Sequence, residues 1–171
     1  MSRFQAETLL LAALTGFSIC EAGAQSALER ALKDEIVMVG SDDEDMAKAM
    51  KEARVTLPNF LKLAENPRRT MRAIAVKVSV RDRGQTEFFW INPFSKTKTG
   101  YIGRIDNEPR LVKSVRANSR IRFKESEIVD WMYVEDDKMY GNYTTCATLK
   151  KDTEEDRQAF KKEFDLDCDT Y

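Results

Sequence analysis

The stretch Ile74-Ala75-Val76-Lys77-Val78-Ser79-Val80, then Asp82-Arg83-Gly84, then Thr86-Glu87-Phe88-Phe89-Trp90-Ile91, decides how the rest of the chain is read. Ile74, Val76, Val78 and Val80 alternate with Ala75, Lys77 and Ser79. Successive side chains of an extended strand point to opposite faces, so this alternation marks a half-buried strand. Asp82-Arg83-Gly84 is a turn signal and Thr86 to Ile91 supplies a partner, which predicts an antiparallel hairpin.

Downstream, Asn92-Pro93 ends the second strand and Thr99 to Ile105 reads as a third, closed by Asp106-Asn107-Glu108-Pro109. Leu111 to Val115 reads as a helical turn, and Ser119 to Phe123 and Glu127 to Tyr133 as strands four and five. Asp136-Asp137-Lys138 turns the chain into a last strand, Met139 to Leu149. Upstream the period is helical: Met46, Met50, Ala53, Leu57, Phe60 and Leu61 share one face of a helix from Asp43 to Leu63, with a break expected at Pro58. Six short strands without crossover helices form an antiparallel meander. The expected fold is therefore α+β: an N-terminal helix on a strongly bent, mainly antiparallel six-stranded sheet or partly open small barrel, with a short C-terminal helix.

The core domain spans residues 46–149. Residues 25–45 read as an acidic linker containing a short helix, Ala27 to Lys33, and residues 150–171 as a charged tail that turns helical around Phe160, Phe164 and Leu166. Residues 1–24 read as a signal peptide. Arg3 precedes an apolar run from Leu9 to Ile19, and Ala22-Gly23-Ala24 has the small-x-small pattern of a cleavage site before Gln25. The run is short of the roughly 20 apolar residues that span a bilayer. Two other readings of this segment are a buried or amphipathic helix and lipid attachment at Cys20. Cleavage gives a periplasmic or secreted protein with no transmembrane segment, and leaves Cys146 and Cys168 as a candidate disulfide in a compartment that tolerates one.

There is no histidine and no closely spaced cysteine pair, which argues against the usual zinc sites and leaves no cofactor to expect. Between Arg68 and Lys124 fifteen basic residues face four acidic ones, while both flanks are acidic. Such a field attracts anionic partners such as nucleic acid, glycans or membrane surfaces. Strand alternation also sends charges to water, and the acidic tail can neutralise them. A periplasmic address weighs against nucleic acid. Without histidine, carboxylates are the general acid/base candidates, and Glu87, Glu127 and Asp130 are the three that neighbouring strands can gather. Trp131 and Tyr133 read either as core or as the walls of a shallow pocket completed by Trp90 or Tyr143.

Several segments between Met46 and Leu149 resemble the YegJ-like family of small, often exported bacterial proteins of unknown function. They are Ala53-Arg54-Val55-Thr56-Leu57-Pro58-Asn59-Phe60, Gly100-Tyr101-Ile102-Gly103, Asn107-Glu108-Pro109, Ile128-Val129-Asp130-Trp131-Met132-Tyr133 and Gly141-Asn142-Tyr143-Thr144. Where relatives resemble Glu-His-x-Trp, this chain has Glu87-Phe88-Phe89-Trp90, so no role for that histidine carries over. The resemblance implies a compartment and an architecture but no reaction. It directs attention to Trp90, Asn107, Pro109, Asp130, Trp131, Tyr133, Asn142 and Tyr143, either as structural positions or as a ligand or partner surface. The leading expectation is a non-enzymatic binding or accessory protein of the envelope, acting on a protein or small ligand. A small carboxylate-dependent hydrolase or glycan-modifying enzyme, and a toxin inhibitor or immunity protein, are the alternatives.

Overall fold

The computed structural model describes residues 43–168, so the expected signal peptide at 1–24 and the short helix at 27–33 lie outside the described residues. Helix α1 (Glu44–Glu65) opens at Asp43, whose carboxylate accepts from the Met46 N–H at 2.9 Å, with Glu44 and Asp45 in the positive first turn. Its buried face is Met46, Ala49, Ala53, Leu57, Phe60 and Leu61, close to the face that spacing predicts. The expected break at Pro58 does not occur. Proline removes the donor that would reach the Arg54 carbonyl, but buried Leu57, Phe60 and Leu61 hold both sides of it against the sheet.

The sheet contains β1 (Met71–Asp82), β2 (Gln85–Thr97), β3 (Gly100–Ile105), β4 (Arg120–Phe123), β5 (Ile128–Glu135) and β6 (Lys138–Gly141). The decisive hairpin is present, with Val78 opposite Phe89 and Val76 opposite Ile91, turned at Arg83 and Gly84, both at positive φ. Helices α2 (Tyr143–Leu149) and α3 (Glu154–Phe164) follow.

The expectation of a strongly bent sheet or partly closed barrel is overturned. The six strands form one open sheet in the order β4-β3-β2-β1-β5-β6, so β4 and β6 are its two edges and do not pair with each other. A barrel needs edges long enough to zip together, and both edge strands here have only four residues. The apolar face is covered by α1 instead.

The shortness of β6 corrects a second expectation, the long strand Met139 to Leu149. Gly141 (φ 76) and Asn142 (φ 59) both adopt the left-handed region and end the strand, and the chain enters α2. Tyr143, Cys146, Ala147 and Leu149 are then buried at helical spacing. The helical turn expected at Leu111 to Val115 is also absent. That loop is pinned by side chains of the hairpin, because Glu87 accepts from the N–H groups of Arg110, Leu111 and Val112, and Asp82 from those of Lys113 and Ser114.

The main core joins α1 to Val76, Val78, Phe89, Ile91, Ile105, Ile128 and Trp131. A second cluster of Met139, Cys146, Leu149, Phe160 and Leu166 ties α2 and α3 to the β6 end. There Cys146 and Cys168 form a disulfide with Cα atoms 5.4 Å apart.

Candidate functional site

The aromatic residues drawn together by the sequence divide between packing roles. Trp131 is 8% exposed and stacks on Phe60 at 4.8 Å. Its indole N–H lies 3.1 Å from both the Ala53 carbonyl and the Thr56 hydroxyl, fastening β5 to α1. Tyr143 meets Trp131 edge-on and exchanges a 2.9 Å hydrogen bond with Thr56. Tyr133, half-buried, lies between Trp131 and Tyr140 in a stacked row. Trp90 is a direct neighbour of Lys77 on β1 and faces away from this group, its ring 4.5 Å from the Lys77 ammonium. Trp131, Tyr133 and Tyr143 are therefore gathered, and Trp90 is not one of their walls. Asn107 is buried and accepts from the Trp90 N–H, extending the pairing of β2 past β3. Pro109 leads into the loop that Glu87 pins. Asn142 accepts from the Thr145 hydroxyl and shapes the entry to α2.

The three candidate carboxylates serve separate hydrogen-bond systems. Glu87 holds the loop as described. Glu127 is exposed and closes the single 3-10 turn Glu125–Glu127 by accepting from the Lys124 N–H at 2.6 Å. Asp130, 0% exposed, accepts from the N–H groups of Trp131, Tyr143 and Thr144 and from the Thr144 hydroxyl. Burial pushes its carboxyl above the ordinary range, against the Lys77 charge and these hydrogen bonds, which favour the anion. Lys77 donates to Thr144 at 2.7 Å, and Thr144 donates to Asp130 at 2.6 Å. This Lys-Thr-Asp chain has the atoms of a hydroxyl nucleophile beside a lysine. All three side chains are enclosed, however, and the hydroxyl hydrogen is already committed to the carboxylate. It is a satisfied polar core joining β1, β5 and α2.

A more open concave surface among the described residues lies elsewhere. A cleft of about 630 Å³ is lined by Arg54 of α1, Val78–Arg81 of β1, Val115, Ile121–Phe123 of β4, Ser126 and Glu127. Glu127 is the sole member of the candidate carboxylates in its lining. Arg54, Arg81 and Arg122 are exposed and make no ion pair with any described residue. Arg104 and Arg120 face each other on the neighbouring strands and add to the field. The sequence showed the basic middle of the chain but not that the sheet brings Arg81 and Arg122 of that stretch to one cleft, nor that α1 adds Arg54 from outside it. Val78, Val80, Val115, Ile121 and Phe123 give the cleft apolar lining. Such a surface can hold an anionic group beside an apolar one, and it has no paired carboxylates for acid–base chemistry.

These features define a small α+β protein with an open antiparallel sheet, a buried Lys-Thr-Asp core and a basic cleft. Among the described residues no group of three or more His, Cys, Asp or Glu is placed to hold a metal, and no helix is long and apolar enough to cross a membrane. The chain belongs to the DUF2314 family of uncharacterized proteins conserved in bacteria, whose profile matches residues 43–168. It is 34% identical over 118 residues to the uncharacterized protein YegJ of Escherichia coli (strain K12), an alignment covering 69% of this chain and 76% of YegJ. The family resemblance read from the sequence is thus the right one. No solved structure matches the chain.

Proposed function

We propose that this bacterial protein is a non-enzymatic binding or accessory protein of the cell envelope, and that its basic cleft is the surface that meets an anionic partner. The observation that carries this reading is the charge imbalance in the cleft: Arg54, Arg81 and Arg122 border it, while Glu127 is held by the Lys124 N–H. The other two carboxylates are spent on backbone N–H groups, which supports binding over catalysis. Export is supported by the cleavage-site pattern at Ala22-Gly23-Ala24 and by the Cys146–Cys168 bond, of a kind that persists in oxidising compartments.

Two measurements test the two halves of the reading. Calorimetric titration of the full chain with polyglutamate is expected to show binding that weakens with salt and is lost in the Arg54→Glu/Arg122→Glu variant. Undiminished binding by that variant would remove the cleft from the proposal. Mass spectrometry of protein recovered from a bacterial periplasmic extract is expected to find a chain starting at Gln25. Recovery of the intact chain in the cytoplasm alone would remove the envelope.

A further inference from the structure

The cleft is bordered by strand backbone as well as by the apolar face of the sheet. Val78, Ser79, Val80 and Arg81 are consecutive on β1, and Ile121, Arg122 and Phe123 are consecutive on β4. Side chains alternate in direction along a strand, so a cleft lined by unbroken runs of residues is flanked by backbone. Among the described residues, both runs are open on one side. β5 pairs with β1 only as far as Val78, opposite Ile128, before the chain turns off through Glu125–Glu127, so Ser79 to Asp82 extend beyond it. β4 pairs with β3 and is otherwise an edge of the sheet. Unpaired N–H and C=O groups on an edge strand are a template for another extended chain.

We infer that this cleft is a strand-acceptor slot, in which an extended acidic segment of a partner protein pairs with the free edge of β4, while the end of β1 that β5 does not reach lines the cleft beside it. The inference rests on the proposed anion-binding role of the cleft and deepens it. Main-chain hydrogen bonds give such pairing its affinity, and alternate side chains give it specificity. Here the alternation asked of the partner is readable. Side chains on one face of the segment meet Val80, Val115, Ile121 and Phe123, with Arg54 of α1 on the same side, and carboxylates on the other face meet Arg81 and Arg122. The four residues of β4 set the length of the paired stretch at about 13 Å of extended chain. Native proteins commonly protect edges with charge. On β4 that charge has one sign, Arg120 and Arg122, so it repels a second copy of β4 while attracting an acidic strand.

The experiment uses the full chain, a soluble peptide with a central run of alternating glutamate and valine, and two twins of it N-methylated at odd or even positions of that run. Charge and side chains are then constant while hydrogen-bond donors are removed from one side at a time. The unmodified peptide is expected to bind, at least one twin to bind about tenfold or more weakly, and Arg54→Glu/Arg122→Glu to abolish binding. Twins that both bind as well as the parent would overturn strand pairing while leaving an anion-binding cleft. Failure of both the peptide and polyglutamate to bind would overturn this inference and the cleft's proposed role together. A chain that sediments as a dimer, and becomes monomeric in the double variant, would assign the slot to a second copy and overturn the partner segment.

Discussion

Asp130 sits where β1, β5 and the start of α2 meet, and four hydrogen bonds with the Lys77 charge make its burial tolerable. Removing one partner of a buried charged pair leaves the other uncompensated, at a cost of about 3–5 kcal/mol. Asp130→Ala is expected to lose that much in urea unfolding. Glu127→Ala, on an exposed turn, is expected to change stability by no more than about 1 kcal/mol. A reversed order would mean that Asp130 is not the anchor described. Glu135 gives the complementary pH test. Arg68 and Thr70 hold its carboxyl at about 2. A depressed carboxylate pKa stabilises the fold above its ordinary value and loses that contribution as pH falls toward the folded one. Melting temperature should therefore decline between about pH 5 and 2 less steeply in Glu135→Gln than in the parent. The sequence marked Asp130, Trp131 and Asn107 but not their roles. Lys77 and Thr144 are far from Asp130 in sequence, and nothing local announces that they meet it.

At the level of elements, alternation and helical period located α1, the β1–β2 hairpin and the cores of β3, β4 and β5, since each buries one face against a neighbour. The error at the last strand has a local cause. Met139 to Leu149 is apolar enough for either state, and the switch is made by two backbone positions, Gly141 and Asn142. A Cβ on Gly141 would stand 2.2 Å from the Trp131 carbonyl oxygen and 2.6 Å from its ring. Gly141→Ala therefore combines a disfavoured φ with a clash against the aromatic row. It is expected to destabilise the protein by about 1–3 kcal/mol from the backbone alone, with a changed near-ultraviolet circular dichroism signal from Trp131. An unchanged melting curve would contradict the assigned turn. The loop after β3 was illegible for a different reason, because its shape is set by Glu87 and Asp82 on the hairpin rather than by its own residues.

Over the whole molecule, two separate cores must cohere: one under α1, and a smaller one where the disulfide ties the chain after α3 to α2. Closing a loop of 22 residues stabilises by about 3 kcal/mol in the chain-entropy model, so Cys168→Ser is expected to lower stability by roughly that amount in denaturant titration. The open sheet leaves two short edges. One runs into α2 and the second core, and the other borders the arginine-lined cleft. Sequence showed the sign of the charge in the middle of the chain, while only the assembled fold concentrates Arg54, Arg81 and Arg122 around one cleft. The most direct measurement of the account is amide chemical-shift mapping of the full chain as the acidic valine-glutamate peptide is added. Shifts concentrated at Val78 to Arg81, Ile121 to Glu127 and Arg54 are the predicted result, and shifts absent there, or centred on Trp90 and the Lys77–Asp130 core, would contradict it.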